Sequence, residues 1–452
     1  MRRLFPLFIL LHSFCLFSQT EYSAEFSGVG LASSNGEMPF WFYSNTKGRI
    51  DQKTNLMGLF SGKGTFDTSD ESFVEMGAGA FFSEGYDNNL KLDEAYIAFT
   101  SPKIGVVVGK KHKKDLFRGL SASNESILWS LNAGAIPGIR LFTTDPFFIS
   151  GKDHGFGVTG SWEEYLLDDD RYVENTRLHH KSFHFVYRSQ TEFQVSVGLQ
   201  HFVQWGGVSP DFAKLPSSFQ DYTKIITGGT GEDSVGGQEV NALGNQLGSY
   251  ELKIRAKIQD LDFQFLYNHI FEDGSGLKMG NLPDGRYSLY VEDNRDSFWG
   301  VPWFNAFILE YYYLENQSRN RQGSSVDGSD NYFSNNLYRS GWTYNNFTIG
   351  NPFIIANTPP GIGIKYNIVS AIHMGITGEI LNDQPYKLLL SYRSIYGKKD
   401  SFIADSKKII SPFFELALLQ GDYQLNLQLG ADINSGESSN FGVGLSFRQE
   451  FF

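Results

Sequence analysis

The chain has 452 residues and a formal net charge of −12, with 40 Phe, 23 Tyr, 48 Gly, 14 Pro, one Cys and a mean hydropathy of −0.28. The acidic balance argues against a nucleic-acid partner, and the lone cysteine leaves no disulfide framework and no thiolate metal site. The hydropathy is too low for a bundle of membrane helices, and no stretch beyond Phe17 is long and apolar enough to cross a bilayer as one.

The first element in chain order is a leader. Arg2 and Arg3 precede an apolar run over residues 4–17 that stops at Ser18, Gln19 and Thr20, which are the charged, apolar and small-residue regions of a secretory signal over residues 1–18. Pro6 and His12 interrupt the run, so it reads as a removed segment rather than an anchor, with the mature chain starting near Gln19. Cys15 lies inside the leader behind the bulky Phe14, which disfavours lipidation. The mature chain over residues 19–452 then has no thiol, which suits passage through an oxidising periplasm.

Beyond the leader, apolar residues recur in short alternating segments. Phe193, Val195, Val197, Leu199 and His201 share one face of a strand. Leu252, Ile254, Ala256 and Ile258 then oppose Glu251, Lys253, Arg255 and Lys257, a charged face that only a watery lumen or a salt-bridge network could hold. Leu261, Phe263, Phe265 and Tyr267 follow a tight connection, and residues 362–369 and 387–392 read as further strands. Near the end, Tyr423, Leu425, Leu427, Leu429 and Ala431 oppose Gln424, Asn426, Gln428, Gly430 and Asp432. A hairpin across residues 434–440 leads to Phe441, Val443, Leu445, Phe447 and Phe451 opposite Gly442, Gly444, Ser446, Arg448 and Glu450. The final Phe451 and Phe452 look like the terminal aromatic signal of outer-membrane barrels.

Strands can span lipid only when every backbone group is paired, so this pattern predicts an all-β transmembrane antiparallel barrel in the bacterial outer membrane, with outer-membrane lipid around it. Roughly 430 mature residues, at about 10 per strand plus turns and loops, allow some 16 to 18 strands. The charged or Gly-rich stretches at 227–237, 272–285 and 316–331 fall between strand segments and read as extracellular loops.

Motifs for chemistry are scarce: there is no phosphate-binding loop, nucleophile elbow or helical His pair around a glutamate. Glu163 and Glu164 are neighbours, so on a strand they face opposite ways and form no acid and base pair, and His179 and His180 share that geometry. The Asp-rich runs at 168–170 and 325–330 are solvated loops or cation sites, without the twelve-residue spacing of a calcium loop. The expectation is a protein that is not an enzyme and has no cofactor and no metal.

Four segments carry a family resemblance. Residues 123–133 (SNESILWSLNA) lead to 136–141 (IPGIRL); then come 170–181 (DRYVENTRLHHK), 204–207 (QWGG) and 244–248 (GNQLG). In this order and at this spacing they resemble the Wzi-type capsule assembly proteins of the bacterial outer membrane. Met38, Pro39, Phe40 and Trp41 look like the variant of that family without a long periplasmic extension. The resemblance weakens after Tyr313. It implies an eighteen-stranded barrel, its lumen closed by folded loops, that holds secreted capsular polysaccharide or exopolysaccharide at the cell surface, with polysaccharide export machinery as a partner. One departure is that residues 21–66 show no helical period long enough for the periplasmic helical bundle of enteric family members.

Two readings follow for the motif residues. Arg140, Asp170, Arg171, Glu174 and His179 would form a charge-assisted network filling the lumen, because guanidinium groups bind carboxylates in bidentate fashion and stay charged. Alternatively some of them face an outer vestibule and bind acidic sugars. Gln204, Trp205, Asn245, Gln246 and Arg177 are the candidate polysaccharide-binding set, combining a flat aromatic for sugar faces with amides for hydroxyls. Trp205 read structurally is an interface anchor or a plug under a loop. Two other functions stand beside polysaccharide binding: a porin-like channel, and a hydrolase, which would need two carboxylates in one cleft.

Overall fold

The computed structural model describes residues 20–85, 89–231, 242–272, 274–295, 303–318, 330–380, 384–399, 401–435 and 438–451. The expected leader over residues 1–18, the expected start at Gln19 and Phe452 lie outside the described residues, as do parts of the stretches at 227–237 and 316–331. Among the described residues no helix is long and apolar enough to cross a membrane.

The alternating segments form eighteen barrel strands among the described residues. The first nine are β1 (Thr20–Ser33), β2 (Leu56–Ser69), β3 (Ser72–Ser83), β4 (Leu90–Thr100), β5 (Ile104–Lys110), β6 (Pro137–Thr143), β7 (Gly155–Leu167), β8 (Thr176–Arg188) and β9 (Gln194–Trp205). The second nine are β10 (Asn245–Ile258), β11 (Leu261–Phe271), β12 (Gly285–Asp293), β13 (Ala306–Leu314), β14 (Ile368–Ile380), β15 (Gln384–Lys398), β16 (Ser401–Leu419), β17 (Tyr423–Asn434) and β18 (Asn440–Phe451). Each pairs antiparallel with its chain neighbour. The ring closes where β1 pairs β18, from Ala24 opposite Phe451 to Ser33 opposite Gly442. Closure leaves no free edge, the condition for strands in hydrocarbon.

Facing follows the alternation. On β18, Phe441, Val443 and Leu445 are exposed to the lipid side, while Gly442 and Gly444 lie against Pro39, Phe42 and Leu31 inside. Connections alternate in length as well. Most even-to-odd connections are short, such as residues 70–71, 101–103 and 259–260, while the longest connections are odd-to-even: residues 34–55, 111–136, 206–244 and 315–367. Short turns on one side and long loops on the other orient the barrel, with the start of β1 and the end of β18 on the short-turn, periplasmic side. The stretches expected as extracellular loops all belong to the long-loop side.

Three of the long connections fold back into the lumen. The first carries α1 (Phe40–Tyr43), and Met38, Phe40, Trp41 and Phe42 are buried in one core with Leu120, Ile127 and Leu128 of the 111–136 connection. Tyr332, Phe333, Trp342, Tyr344 and Phe353 of the 315–367 connection complete that core. The walls fasten it with charge. Arg286 of β12 and Glu310 of β13 form a wholly buried pair at 2.9 Å, and Glu310 accepts from Ser121 Oγ at 2.7 Å and from the Ala122 amide at 2.8 Å. Leaving such a pair half-made in a dry interior would cost several kcal/mol, so the segment around Ser121 is held tightly.

One strand expectation fails. Residues 362–369 are not one strand: a short pairing at Ile364–Tyr366 belongs to the plug, and β14 starts after Asn367. Asn367 is buried and its side chain donates to Asn331 and Tyr332 at 2.8 Å, so a polar plug contact interrupts an apolar run.

Candidate functional site

The four motif segments meet, but not as a sugar platform. Their buried groups converge on one stretch of the plug, residues 335–351. Trp342 Nε1 donates to the Leu128 carbonyl at 2.7 Å, Ser130 Oγ to the Gly350 carbonyl at 2.7 Å, and Asn132 Nδ2 to the Thr348 carbonyl at 3.1 Å. Gln204 Nε2 donates to the Gly341 carbonyl at 3.0 Å, and Asn245 joins Gln204 at 2.8 Å and Asn335 at 3.2 Å. Arg171 donates to the Thr343 carbonyl at 3.3 Å and pairs with Asp169 at 3.0 Å. Gly341 has φ +65°, and a Cβ there would sit 2.4 Å from the Phe333 carbonyl oxygen, so the tight bend that aims this stretch requires glycine.

Strand geometry splits the expected polysaccharide set. Gln204 and Asn245 face the lumen and are buried holding the plug. Trp205, Gln246 and Arg177 face the other way. Trp205 is packed on the outer wall beneath α2 (Phe219–Thr227), against Tyr222, Ile225, Val203 and Leu243, with the exposed Arg177 guanidinium 4.9 Å over its ring. Gln246 Oε1 lies 3.3 Å from His201 Nε2 on the same wall. Helix α2 exists because Ser218 and Asp221 cap its start reciprocally, at 3.2 and 2.8 Å, and Gly228 ends it at φ +70°. Trp205 is therefore the last residue of a barrel strand, buried and closed to a sugar ring.

The expected lumen network is likewise divided. Arg140 faces the lumen, 3.3 Å from Glu163, while Arg171 sits higher, on the plug. Asp170 and Glu174 are exposed on the connection between β7 and β8. His179 lies on the outer wall, 2.6 Å from Glu164, where Trp162 and Tyr222 enclose it. The reason is the period of two: His179 and Glu164 are cross-strand partners on one face, His180 and Glu163 on the other. The opposed facing of Glu163 and Glu164, and of His179 and His180, matches the strand reading. Asp168 accepts from Tyr344 Oη at 2.6 Å, so this part of the Asp-rich run also serves the plug.

Two surfaces remain open. On the long-loop side, Arg339 lies 4.7 Å over the Tyr172 ring and 3.0 Å from Asp211, and Tyr172 Oη donates to Asp211 at 2.7 Å. That hydrogen bond to a carboxylate holds the Tyr172 hydroxyl above its ordinary pKa. Arg339 and Asp211 are half exposed, so an aromatic face, a carboxylate and a guanidinium stand together at the extracellular end. Tyr172 lies within the second motif, but Asp211 and Arg339 are 128 residues apart in unpatterned loops and no local signal joins them. On the short-turn side, the lumen below the plug holds a cavity of about 520 Å³ between the 111–136 connection and the wall of β6 to β11.

No family model matches the chain and no curated protein matches it. Solved structures do. Wzi of Escherichia coli, described as an outer-membrane protein involved in group 1 capsule assembly and as a carbohydrate-binding β-barrel, aligns with a TM-score of 0.60 at 13% identity, over 98% of this chain and 86% of that one. The fold is that of bacterial outer-membrane barrels. OccK3 (OpdO) of Pseudomonas aeruginosa aligns with a TM-score of 0.50 at 10% identity, over 96% of each chain. Eighteen closed strands and these neighbours place the chain in the bacterial outer membrane.

Proposed function

We propose that this barrel is a non-enzymatic protein that binds or organises exported capsular polysaccharide or exopolysaccharide at the cell surface, where polysaccharide export machinery would deliver it. The observation that carries the reading is the filled extracellular half of the lumen. Residues 335–351 are fastened from the wall and from the 111–136 connection by the hydrogen bonds of Gln204, Arg171, Ser130 and Trp342. A barrel closed in this way offers its outer end as a surface, and that end carries Tyr172, Asp211 and Arg339, a ring for sugar faces with charged groups for hydroxyls and carboxylates. The motif resemblance supports the same reading and extends to this chain the carbohydrate binding described for Wzi. Against hydrolysis, Glu163 in the lumen is engaged by Lys113 at 2.7 Å and Arg140 at 3.3 Å rather than standing with a second free carboxylate.

The test is polysaccharide binding to intact cells that carry the barrel. Tyr172→Ala with Arg339→Gln should weaken it several-fold to about tenfold, the scale of one aromatic contact and one charge-assisted bond. Full binding by that variant would overturn the surface site. A porin-like channel is the second reading, favoured by the charged cavity beneath the plug. Steady open-channel current across a planar bilayer from the wild-type protein would support it over the first.

A further inference from the structure

We infer that the cavity on the short-turn side is a second binding site, for an acidic oligosaccharide stretch of the exported chain entering from the periplasmic mouth; this rests on the polysaccharide reading above.

The cavity is built by what the wall leaves out. Its wall carries Ser161 of β7 and Ser182 of β8, 2.8 Å apart, and Ser196 of β9, so three neighbouring strands present small residues and leave a hollow beside the plug. At about 520 Å³ it has the volume of a ligand pocket rather than a packing defect. Its lower rim is formed by Arg188, Gln194 and Arg255, cross-strand partners in one row near the short-turn ends of β8, β9 and β10, so it opens toward the periplasm.

Charge sets the class of ligand. Six Lys or Arg side chains line the hollow against four carboxylates. Arg140, Arg188, Lys113 and Lys253 each have an acidic partner. Lys114 and Arg255 have no ion pair among the described residues: Arg255 bonds only the Gln264 amide, at 3.2 Å, and Lys114 is exposed within the cavity. Lys114 and Arg255 are both solvent-exposed, and two cations without an acidic partner along one concave wall raise the local positive potential and attract an anion. Hydroxyls and amides on the wall, with Gln200 and Asn268 among them, suit sugar hydroxyls, and the Trp129 ring lines the same space. A carboxylate-bearing sugar chain satisfies both features. A neutral glycan leaves the cations unmet, and a compact polyanion leaves the hydroxyl wall unused.

The experiment uses the full mature barrel in detergent micelles, with tetragalacturonate as probe, maltotetraose as its neutral match and citrate as a compact polyanion, read by calorimetry. Wild type should bind tetragalacturonate, more weakly as salt rises, and Lys114→Gln with Arg255→Gln should lose about tenfold or more in affinity, the scale of two charge-assisted contacts. Neither side chain fastens the plug, so heat-modifiable gel migration should be unchanged. Maltotetraose binding as well as tetragalacturonate, citrate competing at equal charge, no tetragalacturonate binding by wild type at millimolar concentration, or equal affinity in the double variant would each overturn the inference. Failure here is distinct from failure of the surface reading, because the double variant should bind polysaccharide on intact cells as wild type does, where only the outer end is reached. Loss of that binding would also overturn the assignment.

Discussion

Replacing Trp342 with alanine should release the plug without unfolding the barrel. The indole is wholly buried, its ring lies 5.4 Å from Phe202 of β9 and 6.4 Å from Phe333, and its Nε1 holds the Leu128 carbonyl. Truncating a buried Trp to Ala typically costs about 3–5 kcal/mol, and here a buried carbonyl also loses its donor. The strand ladder makes no use of Trp342, so that loss falls on the docking of residues 335–351 and should raise the undocked population by a factor of roughly 10² to 10⁴. The assay pairs planar-bilayer conductance with heat-modifiable gel migration. The expected result is frequent openings from a barrel that still migrates as folded. A variant as silent as wild type and equally resistant to proteolysis within residues 335–351 would refute the claim that this stretch closes the lumen.

Three further outcomes follow from the same geometry. Leu445→Asp on the lipid face should hinder folding into liposomes by on the order of 2 kcal/mol more than Ser446→Asp on the lumen face, and equal effects would show the facing to be wrong. Burial pushes Asp284 up to about 6 from 3.8, although it accepts from the Asn316 and Gln317 amides and from Tyr332 Oη. A carboxyl raised in the folded state contributes stability that is full below its unfolded pKa and is lost as pH rises through the folded one. The unfolding temperature should therefore fall between about pH 4 and pH 6, by an amount equivalent to roughly 3 kcal/mol, and Asp284→Asn should flatten that slope. Trp205→Ala should free α2 from the outer wall, seen as faster proteolysis in the loop after Gly228, while leaving conductance unchanged; a rise in conductance would contradict its outward position.

The barrel was legible in the sequence because lipid enforces a period of two. Lys253 and Arg255 inward and Leu445 outward are readable from alternation alone. The plug was not legible, since a segment such as 332–354 is apolar without period and packs by shape inside the barrel. The candidate site went wrong where the same rule was not carried through. Gln204 with Trp205, and Asn245 with Gln246, are sequence neighbours on strands and must part to opposite faces, as Glu163 and Glu164 do. His179 was grouped with Arg140 by charge, yet its register partner across the strands is Glu164 on the outer wall. The cluster of Tyr172, Asp211 and Arg339 joins three connections, and no spacing in the chain announces it.

The fastening of the plug also sets an order of events in assembly. Trp342 and Leu128 are separated by 214 residues, Gln204 and Gly341 by 137, and Ser130 and Gly350 by 220. Contacts of such range form late, after the entropy of closing those loops has been met by neighbouring strands already in register. The plug therefore docks only in a barrel whose β8 to β13 wall is complete, and until then the charged inner face stays hydrated. Docking thus depends on register, since a barrel with a slipped register in that wall loses the Gln204 and Asn245 contacts that help to pin residues 335–351.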